Sequence, residues 1–412
     1  MVAVLKHRCF LMIVVLIPVA SVAAITTVRA DELSATEQRL LADAADGVLD
    51  NFSLLEGALI ASGLRDVEEI ERYCADFARR TAKALNVCDE TSDNTKFERV
   101  YDILHDEFLT GEYHSTCTEL DRAFDEGDYN CVTATILYHC ISRVHGLIPV
   151  AVATNTHVRS RFFPEPDRGG QVFDVETTCR EWFDVVRRDP HAQNFRTEQQ
   201  VTRQLTNVEL LAKIYYNRGV SLLEKKAFAD AIALLRTSQL LDPSDVPTRE
   251  NMAAGINNWA LAECDANHFA CAVKLVLEGC STYPEFVPLR ENDVHIHQRW
   301  AVALCEQRRF AEAMQVLHTA HLRRADVALF DRGRVAVLAQ WATSLFENGE
   351  LENASRLFAE ANNWFDKSSD ISRCRSIAIQ EAAASLARRG RHDDANRLVR
   401  WGGELEPAGT QF

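Results

Sequence analysis

The stretch GDYNCVTATILYHCISRVHG, residues 127–146, passes from turn residues into an apolar helical run whose first residue is a cysteine. Asn130 is a good N-cap, with Asp128 as the alternative, and Gly146 suits the stop position at the other end. Cys131 then stands in the first turn, where unpaired backbone N–H groups and the helix dipole favour an anion. Thiolate is the nucleophilic form of cysteine, so a reactive thiol is expected here. Cys140 lies nine residues on and, at ~100° per residue, faces the opposite side of the helix.

Before this helix, segments 34–62, 66–86 and 96–110 show helical periodicity with acidic first turns. After it the composition changes. LIPVAVATNTHVRSRFF (147–163) reads as strand, PEPDRGG (164–170) as a turn, and QVFDVETT (171–178) as a second strand. A hairpin folded about residues 165–166 sets His157 nearly opposite Asp174, and opposed residues point to the same face of a sheet. Glu176 shares that face. Packed against the start of the 131–145 helix, the hairpin brings a thiol, an imidazole and a carboxylate together, which is the logic of an activated nucleophile. Arg159 and Arg161 lie on the same face and read as a solvated strand surface. His139 and His145, on the cysteine helix, read as satisfied core or surface groups.

Three elements in this order, NC at 130–131, TH at 156–157 and FDVETT at 173–178, resemble the transglutaminase-like branch of the papain-like superfamily over residues 95–180. The resemblance implies Cys131 as nucleophile, His157 as general base and acid, and Asp174, which fits the family position better than Glu176, as the carboxylate orienting the imidazole. The backbone N–H of Cys131 would form part of an oxyanion hole. Asn130 serves as cap or helps to polarise a carbonyl. The interval from Cys131 to His157 is short, 26 residues, and no tryptophan adjoins Cys131. Both features depart from the tissue enzymes and weaken the case for acyl-acceptor chemistry more than that for the fold.

From residue 206 onward the chain repeats. Ala231, Ala272, Ala313, Ala354 and Ala395 follow one another at intervals of 41 residues. Twelve residues before each stands a small residue: Gly219, Ala260, Ala301, Ala342 and Ala383. Phe228, Phe269, Phe310, Leu351 and His392 come three before, and an apolar pair follows each alanine. Small residues at matched points let two helices approach closely. The pattern resembles tetratricopeptide repeats, lengthened from 34 residues to 41. Such repeats stack into a solenoid whose concave face commonly binds peptides, or serve as a packing scaffold. Cys264, Cys271, Cys280, Cys305 and Cys374 are expected to be structural there.

Lys6, His7 and Arg8 precede an uncharged run at residues 9–28. This reads as an export signal cleaved before Asp31 or as an uncleaved anchor; either places the body outside the cytoplasm. Without Cys9, eleven cysteines remain; most are expected to be paired or buried in an oxidising compartment, with at least one unpartnered. No CxxC occurs, which argues against a structural zinc. A net charge of −15 argues against a nucleic-acid surface. No phosphate loop or nucleotide fingerprint is present, so no cofactor is expected.

The expected architecture is therefore a leader at 1–30, an α+β transglutaminase-like domain at 31–205 and an all-α repeat solenoid at 206–412. The expected function is an extracytoplasmic thiol hydrolase or acyltransferase on protein or peptide amides, hydrolysis favoured, with the repeats recruiting the substrate. The alternative is a catalytically inactive interaction scaffold.

Overall fold

The computed structural model describes residues 33–82, 93–154, 156–163, 172–189, 203–365 and 367–404. The leader and the PEPDRGG segment lie outside them. The chain forms two compact units, meeting between Met252 and Ala253. The first repeat thus belongs to the first unit, 47 residues beyond the boundary expected at 205.

The first unit opens with α1 (Ala35–Asp43), α2 (Leu54–Ala61), α3 (Val67–Ala82) and α4 (Asp93–Glu107). The single helix expected over 34–62 is two, because the Asp43 carboxylate accepts from the backbone N–H groups of Asn51 and Phe52 and holds the chain in a turn. After α5 (Asp121–Asp125) comes α6 (Cys131–Val144), buried almost without interruption from Val132 to Ser142. A helix apolar on every side is a core helix. It packs against α2, α4 and α8 (Asn207–Glu224), and their apolar side chains form one continuous core with the sheet.

That sheet is antiparallel, in the order β3 (Phe173–Val175), β2 (Val158–Phe162), β1 (Val150–Ala153), β4 (Arg203–Leu205). The strand expected over 147–163 is two strands, with a tight connection closed by Thr154 N–H donating to the His157 carbonyl at 2.8 Å. Between β3 and β4 lies α7 (Trp182–Arg188).

The repeats begin with α8 and α9 (Phe228–Leu241), followed by α10 (Val246–Asp265), whose first turns still belong to the first unit. In the second unit follow α11 (Phe269–Thr282), α12 (Val287–Glu306), α13 (Phe310–Arg323), α14 (Ala328–Glu347), α15 (Leu351–Glu360), α16 (Ser368–Arg388) and α17 (His392–Glu404), a repeat-like helical stack. All five aligned alanines are buried. At Gly219 a Cβ would come within 2.8 Å of Leu235, so α8 and α9 are as close as the small residue allows.

The short link inside each helix pair carries one residue with positive φ: Lys226, Asn267, Arg308, Gly349 and Gly390, again 41 residues apart. This is the left-handed stop that ends a helix. Of the repeat cysteines, Cys264, Cys305 and Cys374 are buried and Cys280 half-buried, whereas Cys271 is exposed rather than structural. No disulfide joins any of the ten described cysteines; of the expectation that most be paired or buried, burial is what is seen, fully at Cys117, Cys140, Cys264, Cys305 and Cys374.

Candidate functional site

The N-terminus of α6 is fixed by Asn130. Its Oδ1 accepts from the N–H groups of Val132 at 2.9 Å and Thr133 at 3.0 Å, and Thr133 Oγ1 accepts from the Asn130 N–H in return. This reciprocal cap anchors the helix start and presents Cys131, half-buried, at its first position. The segment leading into it is clamped by residues 111–114: Gly111 N–H donates to the Gly127 carbonyl, Tyr129 N–H to Glu112, and His114 N–H to Tyr129. At Gly127, φ is +77° and a Cβ would meet Thr110 Oγ1 at 2.3 Å, so only glycine fits the crossing. The clamp sets Tyr113 near the start of the helix, where burial, and after it Cys131, raise the pKa of its hydroxyl.

His157 stands just before β2 and lines the same cleft as Cys131. Its Nε2 lies 2.9 Å from both carboxylate oxygens of Glu176. Burial opposes the charged imidazole. The neighbouring Cys131 and Glu176 side chains outweigh it and raise the His157 pKa to about 10. Glu176 is buried, which works to raise its pKa. The partnership with His157, together with Thr178 N–H at 3.2 Å and Thr178 Oγ1 at 2.7 Å, overcomes this and holds it below the usual carboxylate range. The turn carrying Glu176 is held from behind by Tyr101, whose hydroxyl donates to the Glu176 carbonyl at 2.9 Å and also to that of Cys179.

Asp174 is not the partner of His157. The β2–β3 register pairs Arg161 with Asp174 and Ser160 with Val175. Continued outward, it sets His157 opposite Thr178, with Glu176 one diagonal away. The observed register is shifted by four places from the one expected, which set His157 opposite Asp174. A slip of an even number of places keeps each side chain on its face but changes the carboxylate within reach. Asp174 instead receives Arg161 at 2.5 and 2.9 Å and Arg159 at 3.1 Å, all in the interior. The two arginines are therefore not a solvated face: Arg159 is 2% exposed.

Two other expectations hold in geometry. His139 is a satisfied core group, 3.1 Å from Ser160 Oγ, with its pKa pushed down to about 3 by burial and by Arg143. Cys140 is buried away from the cluster, and burial pushes its thiol up to about 12.

Cys131 and His157 open onto a cleft of about 710 Å³. One wall comes from the α6 start and the β1–β2 connection, with Val132, Thr154, Thr156 and Val158. The opposite wall is the first repeat: Lys213, Tyr216 and Asn217 of α8, Ser244 and Asp245 before α10, and Val246, Pro247, Glu250 and Asn251 in its first turns. Nothing in the sequence pattern tied that repeat to the thiol. Tyr113, Tyr101 and the repeat wall were all missed, because the contacts joining them to the thiol are long-range and leave no periodic signal. Among the described residues, no group of three His, Cys, Asp or Glu side chains is placed to hold a metal ion.

No protein-family model matches this sequence, and comparison with curated proteins finds no match.

Proposed function

We propose that the chain is an extracytoplasmic thiol enzyme of transglutaminase-like type, acting on protein or peptide amide bonds, with Cys131 as nucleophile, His157 as general base and acid, and Glu176 as the carboxylate that orients the imidazole. The observation that carries this reading is a single one: His157, its Nε2 held at 2.9 Å by the buried Glu176 carboxylate, lines one open cleft together with the helix-start thiol. An imidazolium beside sulfur is a setting in which thiols react as anions.

In the proposed reaction Cys131 Sγ attacks the amide carbonyl carbon. The resulting oxyanion is met by the first-turn N–H of Cys131, since the cap binds the next two. His157 hands its proton to the leaving amine as the C–N bond breaks, which yields a thioester. Water, or an incoming amine, then gives a proton back to His157 and releases the acyl group. Glu176 keeps the imidazole in one orientation throughout. The uncharged leader run is what favours an extracytoplasmic location, and the repeats supply the recruiting surface.

The test is residue-resolved alkylation of the full chain with iodoacetamide near neutral pH. Exposed Cys271 serves as an internal reference. Cys131 should react at least about tenfold faster than Cys271 and lose on the order of 10²-fold in His157→Ala, the lower range for a general base. Cys131→Ala should abolish acyl chemistry. A Cys131 no faster than Cys271, or indifferent to His157→Ala, leaves the inactive scaffold as the correct reading.

A further inference from the structure

The wall facing the thiol is not electrically neutral. Arg203 spends its guanidinium on Asp242, Glu209 and Ser244, with Nη1 at 3.0 Å from both Asp242 Oδ1 and Glu209 Oε1. Lys213 Nζ donates to Asp245 Oδ1 at 2.5 Å, and Asn251 donates to the Tyr216 hydroxyl at 2.9 Å. The two cations of the wall are thus consumed by neighbouring carboxylates. Glu250 lines the same cleft, is exposed, and has no ion-pair or hydrogen-bond partner among the described residues. Its field is felt within the wall: burial, Asp245 and Glu250, in that order, raise the Tyr216 pKa. On the thiol side, the His157 and Glu176 charges offset each other.

We infer that the first repeat is the specificity wall of this cleft, and that Glu250 selects polypeptide substrates carrying a lysine or arginine near the scissile amide. Tyr216, which already carries Lys213 Nζ over its ring at 5.5 Å, and Pro247 line the same wall and offer apolar surface to the aliphatic stem of such a side chain. This deepens the reading of Cys131 as a nucleophile and rests on it. It also assigns recognition to the repeat packed into the first unit, not to those of the second.

The test reads the cleft's charge through Cys131 in the full chain. Three thiol reagents of one chemistry and different charge are used: trimethylammonioethyl, sulfonatoethyl and methyl methanethiosulfonate. Rates at Cys131 are normalised to those at Cys271. The cationic reagent should outpace the anionic one at Cys131, and Glu250→Gln should cut that ratio on the order of 5-fold. Glu250→Lys should invert it. Trilysine should shield Cys131 from the neutral reagent where triglutamate does not.

A ratio near one in the unaltered protein, or one unchanged in Glu250→Gln, overturns the inference. The neutral reagent keeps the two ideas apart: fast neutral labelling without charge preference refutes the wall and spares the thiol. Slow neutral labelling refutes the thiol itself.

Discussion

Asp174 and Glu176 stand two residues apart on one strand and its extension, both buried, both with cationic partners, yet they do different work. Asp174 lies between Arg159 and Arg161, away from the cleft, with Trp182 Nε1 donating to its carbonyl at 3.0 Å. Glu176 meets one imidazole at the cleft floor and spends its remaining capacity on Thr178. The first is an ion-pair cluster with no access to a substrate. The second couples to a group that can give up its proton. The comparison teaches that burial and pairing alone do not tell two carboxylates apart; the chemistry of the partner does.

The largest effect expected from this contrast is on stability. Asp174→Ala strands the buried Arg159 and should cost about 3–5 kcal/mol in denaturant unfolding. Cys131 labelling at temperatures where the variant is folded should remain unchanged. A variant as stable as the parent would break the assignment of Asp174 to the framework.

Glu176→Gln should do the reverse. It keeps the shape, destabilises less than Asp174→Ala, and should slow His157-dependent labelling of Cys131 on the order of 10²-fold. Equal losses of stability from the two variants would erase the distinction.

The third effect is on the pH dependence of stability. His157 has its pKa raised in the folded state to about 10 from an ordinary 6.5. Its contribution is therefore complete below about 6.5 and is lost as pH rises through about 10. Glu176 is shifted the other way, so its contribution is present above its ordinary value of 4.5 and lost as pH falls through the lowered one. Unfolding titrations should show a plateau between these limits. In Glu176→Gln the alkaline decline should begin at lower pH, whereas Asp174→Asn should leave that limb in place.

The smallest effect concerns the second thiol of α6. Cys140→Ala should cost ~1 kcal/mol, the loss of a small buried apolar group, with labelling of Cys131 unaltered.

The repeat was legible because it is periodic: a 41-residue interval survives whatever the tertiary structure does. The helix that presents Cys131 was legible from its cap, a local signal. The meeting of His157 with a carboxylate of the facing strand followed from the face parity of the hairpin, which an even slip in register does not alter. The identity of the carboxylate did not survive that slip. The turn residues of ATNTHV end a strand at Ala153, and they were read as continuous with their neighbours. The left-handed links at Lys226, Asn267 and Arg308 escaped notice because glycine, their usual marker, occurs only in the last two repeats. The repeat wall of the cleft was illegible in principle, since nothing local in α8 records what it packs against.

The embedding of α8 in the first unit has a consequence for synthesis. Tyr215 donates its hydroxyl to Glu37 across 178 residues of sequence, and Arg218 reaches the Ala61 carbonyl across 157. Closing loops of this length is a slow, late event in folding. A nascent chain must therefore hold α1, α2 and α6 without their final partner until α8 and α9 have left the ribosome. During that interval the apolar surface of α6 is incompletely covered, a window in which chaperones and aggregation compete. The cleft gains its second wall only once the first turns of α10 have followed, so a thiol at the head of α6 gains its opposing surface only when the unit that carries it is complete.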